Sequence, residues 1–114
     1  MEKIYKILRQ HEWNAALAGG AFAGSADDLR DGFIHFSSAR QVPGTAEKHF
    51  ADERDLVLLA VDSATLGAVL RWETSRGGEK FPHLYGRLAL KRVLWARPLT
   101  RDGQGRFVYP GEMD

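Results

Sequence analysis

The sequence predicts an α+β fold in a single domain, on three observations. Strand-like and helix-like segments alternate at first, and the second half then reads almost wholly as strands, which suits segregated helices better than a doubly wound sheet. "LVLLAV", Leu56 to Val61, is continuously apolar between Asp55 and Asp62, the pattern of a central strand covered on both faces. "DGQG", Asp102 to Gly105, is a turn signal ahead of Phe107, Val108 and Tyr109, which predicts a closing hairpin arm. The chain has 114 residues, and one core commonly takes about 100–200. The expected organisation is one domain over residues 1–114, with a core at about 3–99 and a hairpin or tail over 100–114.

In chain order, Lys3 to Leu8 reads as a first strand. Trp13, Ala16 and Leu17 then fall at i, i+3 and i+4, and Gly19-Gly20 supplies a stop, so a short helix follows. Residues 21–30 carry Gly24, Ser25, Asp27 and Asp28, which suits a loop with at most a helical turn. Phe33 to Ser37 is the second strand, opened by the Asp31-Gly32 turn. Ser38 with Gln41 three residues later is a capping-box pattern, and Val42, Ala46, His49 and Phe50 continue a helical stripe that Pro43-Gly44 breaks or restarts. After the Leu66-Gly67 turn, "VLRWE" (69–73) reads as a strand, "TSRGGEK" as a polar loop, and "RVLWAR" (92–97) as a strand ended by Pro98. No internal repeat or interdomain linker interrupts this order.

Composition narrows the function classes. The chain has no cysteine, which excludes disulfides, thiolate catalysis and cysteine-based zinc sites and suits the cytoplasm. Sixteen Lys+Arg against fifteen Asp+Glu leave a formal charge of +1, so charge does not indicate a nucleic-acid partner. The N-terminal "MEKIYKILRQHEW" has no signal-peptide apolar run, and no segment approaches the roughly 18 apolar residues of a membrane span. A soluble cytoplasmic domain with no membrane partner is expected.

Two stretches carry the candidate chemistry. In "DGFIHFSS", side-chain alternation puts Phe33, His35 and Ser37 on one strand face and Ile34 and Phe36 on the other. His35 can act as donor, acceptor or general base, its unperturbed pKa being about 6.5; the plainer reading is a half-buried histidine bonded to a carbonyl. "KFPHLYG" (80–86) surrounds His83 with apolar and aromatic residues, and His83 and Tyr85 share a face if the segment is extended. His83 reads equally as core filler and as a site residue. Arg71 and Glu73 share a face and can pair or clamp a ligand, although an exposed pair of this kind is worth only about 0–1 kcal/mol. Arg76, Gly77, Gly78 and Lys80 can present cations and backbone N–H groups to a phosphate, but "SRGGEK" lacks P-loop spacing and also reads as a basic hairpin loop. His35, His83 and Glu73 together make a two-histidine, one-carboxylate set, yet no HxH or HExxH occurs and no metal is expected. There is no GxSxG around Ser37. His11 and His49 read as structural or surface residues.

"DGFIHFSSARQV", "DLVLLAVD", "LRWE" and "FPHLYG", in that order, resemble a small bacterial family known as domain of unknown function 952, over Ile4 to about Leu99. That family is grouped with the ADP-ribosyltransferase-type fold. The resemblance implies a small split mixed β-sheet with short helices and a central cleft that holds bent NAD in relatives of that fold. It implies that His35 and Ser37 line the cleft at a strand–helix junction and that Glu73 engages a ribose hydroxyl. The family commonly reads "IYH" in the first strand where this chain reads "IYK", so Lys6 stands in the place of an imidazole; lysine has no acceptor but can hold a phosphate.

Three functions follow as expectations. The first is a cleft binding NAD or a related nucleotide, with Lys6, Ser37, Ser38, Arg71, Arg76 and Lys80 as ligand-binding residues. The second is an NAD-dependent ADP-ribosyl or RNA 2′-phosphate transferase, with His35, Glu73, His83 and Tyr85 as the catalytic group. The third is a non-enzymatic structural or protein-interaction domain whose histidines are packed core groups.

Overall fold

The computed structural model describes residues 2–111 and 113. Its strands are β1 (Lys3–Arg9), β2 (Ala21–Phe22), β3 (Ile34–His35), β4 (Ser37–Ser38), β5 (Leu56–Asp62), β6 (Leu70–Thr74), β7 (Lys80–Leu84), β8 (Leu88–Ala89), β9 (Val93–Arg101) and β10 (Phe107–Val108). The α-helices are α1 (Gln10–Gly19), α2 (Ala26–Asp31) and α3 (Val42–His49). The α+β expectation holds. The strands form a five-stranded sheet in the order β10-β9-β5-β1-β4, a three-stranded sheet β3-β7-β6 and a two-stranded ribbon β2-β8. Every pairing among the described residues is antiparallel, where a mixed sheet is expected. Short turns join β6 to β7 and β9 to β10 as hairpins, and the remaining antiparallel pairs are brought together from segments far apart in sequence.

The continuous apolar run of β5 lies in the middle of the large sheet and is buried on both faces. Val57, Leu59 and Val61 point into one core with Ile4, Leu8, Ile34, Phe36 and Leu84. Leu56, Leu58 and Ala60 point into a second core with Tyr5, Ile7, Val42, Ala46 and Leu99. The first core joins the large sheet to the small sheet and α1; the second joins it to α3. On α1 the stripe is narrower than the spacing predicts: Ala16 is buried and Trp13 packs on the core, but Leu17 is exposed.

Two boundaries differ from the expectation. Residues 33–37 are not one strand. Ile34 and His35 pair with Leu84 and His83 in the small sheet, while Ser37 and Ser38 pair with Tyr5 and Ile4 in the large one. Phe36 sits at the changeover, donating its N–H to the Pro82 carbonyl (2.9 Å). The chain therefore stitches the two sheets together at the point where they part. Pro98 does not end β9 either, which runs on to Arg101 with Pro98 opposite Val57. The outer neighbour β10 pairs only with Thr100 and Arg101, so at Pro98 the far side of the strand is an edge, where a missing N–H is tolerated. Among the described residues no helix is long and apolar enough to cross a membrane.

Candidate functional site

The site is built outward from Asp28. Ser25 caps α2, its hydroxyl accepting from the Asp28 N–H (3.3 Å) while Asp28 Oδ2 accepts from the Ser25 N–H (2.9 Å). Gly32 ends the helix in the left-handed region (φ 88°), which glycine adopts without a Cβ penalty. The turn folds the chain back so that the His35 N–H reaches Asp28 Oδ1 at 3.1 Å. The same oxygen lies 2.6 Å from His35 Nδ1 and 3.1 Å from Lys6 Nζ, and Oδ2 lies 3.0 Å from Lys6 Nζ. Gly24 makes room: a Cβ there would come within 2.9 Å of Asp28 Cβ.

Lys6 shares a face of β1 with Ile4 and Leu8, so its ammonium enters an apolar region and needs a counterion. Burial pulls it below the ordinary lysine range, against the opposing pull of Asp28. For Asp28, burial acts upward, but the His35 hydrogen bond, the Lys6 charge and the Ser25 N–H outweigh it and hold the carboxyl well below the ordinary range. His35 Nε2 lies 3.0 Å from Asp31 Oδ2, so both ring nitrogens of His35 face carboxylates.

A second carboxylate–histidine pair stands next to the first. His35 and His83 are register partners across β3 and β7, with ring centroids 5.5 Å apart. Glu73 Oε1, on the neighbouring β6, accepts from His83 Nδ1 (2.9 Å) and from the Tyr85 hydroxyl (2.7 Å). The Tyr85 and His83 hydrogen bonds hold the Glu73 carboxyl below its ordinary range, and the bond to Glu73 pushes the Tyr85 phenol up. Phe33 stacks on His83 (4.1 Å between centroids) and fixes the plane of the ring.

Both imidazoles line a cleft of about 410 Å³ at the parting of the two sheets. Its other wall is α3, the loop before β7 and the start of β7: Thr45, Lys48, His49, Ser75, Arg76 and Phe81. Ser37 Oγ and Thr45 Oγ1 are hydrogen-bonded at 2.9 Å, and Arg76 Nη2 donates to Thr45 Oγ1 (3.3 Å) while its guanidinium lies over the Phe81 ring. Burial, then the Arg76 and Lys48 charges, hold the His49 imidazolium below its ordinary range. This wall is electropositive.

Of the residues singled out from sequence, Lys6, His35, Ser37, Arg76 and His83 meet in the cleft. Glu73 and Tyr85 stand behind His83 rather than at the surface of the cleft, and Arg71 lies over the Tyr85 ring (4.7 Å). Ser38 and Lys80 are elsewhere, in a separate open groove with Arg40 and Trp72. From sequence, Asp28, Thr45 and Lys48 are not singled out as site residues and His49 reads as a structural or surface residue, whereas His49 lines the cleft. The Ser25-x-x-Asp28 spacing is a capping-box pattern that points to a short helix placing Asp28. The helical spacing places His49 with Val42 and Ala46 on α3, but it does not show that the cleft lies beside it. Among the described residues no cluster of three or more His, Cys, Asp or Glu side chains is arranged to hold a metal ion.

The family model described as protein of unknown function (DUF952) matches residues 7–96. The crystal structure of protein CC0527 from Caulobacter crescentus is similar at 50% identity over 93% of each chain, with a TM-score of 0.88. The solution NMR structure of CC0527 is similar at 51% identity over 93% of this chain and 91% of that one, with a TM-score of 0.83. No curated protein matches the sequence.

Proposed function

The chain belongs to the DUF952 family of proteins of unknown function, and we propose that its cleft binds a phosphate-bearing nucleotide, with NAD as the ligand to try first. The observation that carries this reading is the pairing of two unlike walls. Lys48 and Arg76 form a cationic wall with the His49 ring and the Ser37 and Thr45 hydroxyls, and His35 and His83 face it as planar, hydrogen-bonding rings. A cationic wall with hydroxyls suits phosphate oxygens, and the volume is in the range of small-molecule sites, roughly 300–1,000 Å³. The ADP-ribosyltransferase-type resemblance supports the choice of NAD. Neither Lys6, engaged by Asp28, nor Lys80, in the other groove, is needed for it. A cytoplasmic location, where NAD is abundant, goes with this reading.

A second reading is an NAD-dependent transferase of the ADP-ribosyl or RNA 2′-phosphate type. The Tyr85–Glu73–His83 chain favours it, because a histidine backed by a carboxylate is an arrangement for proton transfer. The third expectation, packed histidines without a ligand, draws support only from the burial of His83.

The test is an amide-shift NMR titration with NAD and ADP-ribose, with Arg76→Ala as control. Shifts confined to residues 33–38, 45–49, 75–76 and 81–83, reduced in the control, are the expected result. No shifts at millimolar ligand would sink the nucleotide reading.

A further inference from the structure

We propose that Glu73 and His83 form a general-base dyad that hydrolyses a phosphoanhydride of the bound nucleotide. This rests on the nucleotide reading above. Glu73 is a carboxylate acceptor, so His83 Nδ1 carries the proton of their 2.9 Å bond and the neutral ring presents its lone pair at Nε2. Nε2 has no protein partner among the described residues, is not sealed off from solvent, and belongs to a ring that lines the cleft. Phe33 on the ring face and Tyr85 on the same Glu73 oxygen keep this arrangement fixed.

The rest of the cleft narrows the reaction class. His35 has a carboxylate on each ring nitrogen and Lys6 is held by Asp28, so of the two histidines on this wall His83 is the one with a free ring nitrogen, and neither His35 nor Lys6 is placed as a general acid. Such a site suits a leaving group that departs as a stable anion without a proton. A phosphate leaving from a phosphoanhydride meets that condition; an alkoxide leaving from a simple phosphodiester does not. Water is the nucleophile. His83 Nε2 takes a proton from water as its oxygen bonds to phosphorus, the bridging P–O bond breaks, and its electron pair leaves with the departing phosphate. His83 then returns the proton to solvent. Arg76 and Lys48, on the opposite wall, face the charge that builds on the phosphoryl oxygens. Glu73 and Tyr85 are positioning residues.

The test uses the full chain with ADP in EDTA, following inorganic phosphate by a colorimetric assay and binding by amide shifts in parallel. The expected result is phosphate release by the wild type, with kcat about 100-fold lower in Glu73→Gln at unchanged KM, the low end of the roughly 10²–10⁴ of general-base catalysis. Tyr85→Phe, which keeps the ring under Arg71, serves as a second variant and lowers kcat by a smaller factor. Amide shifts with no phosphate release overturn the dyad and leave the nucleotide reading standing. Release that Glu73→Gln leaves unchanged also overturns it. Absence of both shifts and release overturns the two together.

Discussion

Replacing Asp28 by Asn tests whether the buried charge network holds the cleft together. Asp28 is 2% exposed and its two oxygens receive Lys6 Nζ, two groups of His35 and the Ser25 N–H. Asn has one acceptor oxygen; its amide NH₂ must stand in the place of the other, facing either Ser25 and Lys6 or three donors at once. Either way the Lys6 ammonium loses its counterion while still buried. Breaking a buried pair from one side costs about 3–5 kcal/mol. With a urea m-value of about 1.5 kcal/mol/M, the unfolding midpoint should fall by about 2–3 M. Adding Lys6→Met removes the stranded ammonium, so the double variant should be more stable than Asp28→Asn alone, with a coupling of at least about 1 kcal/mol in the cycle. The sign with pH follows from linkage. Asp28 is depressed in the folded state, so its contribution is complete above the unfolded value of about 3.9 and is lost as pH falls toward the folded one. Wild-type stability should therefore decline steeply below about pH 4, and the Asn variant less so. Lys6 has the same sign in a different range: its folded value is lowered first by burial, so the unfolded chain binds the extra proton in the alkaline range and the cost of its buried charge is relieved as pH rises there. A midpoint shift under about 0.5 M, or a double variant as unstable as the sum of the singles, would refute this account.

Two further outcomes concern the cationic wall. Gly44 lies inside α3, and a Cβ there would stand 3.2 Å from Arg76 Nη2, the movable end of a long side chain. Gly44→Ala should raise stability by up to about 1 kcal/mol through helix propensity while displacing Arg76 from Thr45 and weakening nucleotide binding; calorimetry and the NMR titration check both, and unchanged affinity would place Arg76 outside the contact. His49 is held low first by burial and then by Arg76 and Lys48, with Asp27 opposing. An anion seated on that wall should raise the His49 pKa, visible in its ring-proton titration with and without inorganic phosphate, and affinity should grow as pH falls through that range. A His49 titration that phosphate leaves unmoved argues against an anion there.

The legible part of the fold was the part written in periodicity. Continuous burial told of a central β5, and alternation separated Ile34 and Phe36 from His35. What period could not tell was partner choice. Phe33 to Ser37 reads as one strand because its alternation is unbroken, yet Ile34 and His35 bond to β7 and Ser37 and Ser38 to β1, a matter decided by partners lying far away in sequence. The same limit governed the site. His35 and His83 were noticeable because each is a polar residue in apolar company, and their meeting depended on a register that only the fold supplies. Asp28 escaped notice because an acidic residue in a Gly, Ser, Asp segment looks like any exposed loop carboxylate. Nothing local marks it as the one that Gly24 leaves room for and Gly32 turns the chain back upon.

Lys6 changes what the cleft can be. A neutral imidazole at that place on β1 could be buried with two hydrogen bonds and no counterion, whereas an ammonium sharing a face with Ile4 and Leu8 requires a carboxylate within reach. Asp28 meets the requirement, and by doing so it also binds the His35 ring and backbone. The first strand, α2 and the strand that stitches the sheets are thereby tied through one carboxylate. The charge of Lys6 is balanced inside the protein, so the positive potential a ligand meets comes from α3 and the loop before β7. Exchanging lysine for histidine at position 6 should therefore alter the stability and pH response of the cleft floor much more than its affinity for phosphate. Losing Arg76 should do the reverse.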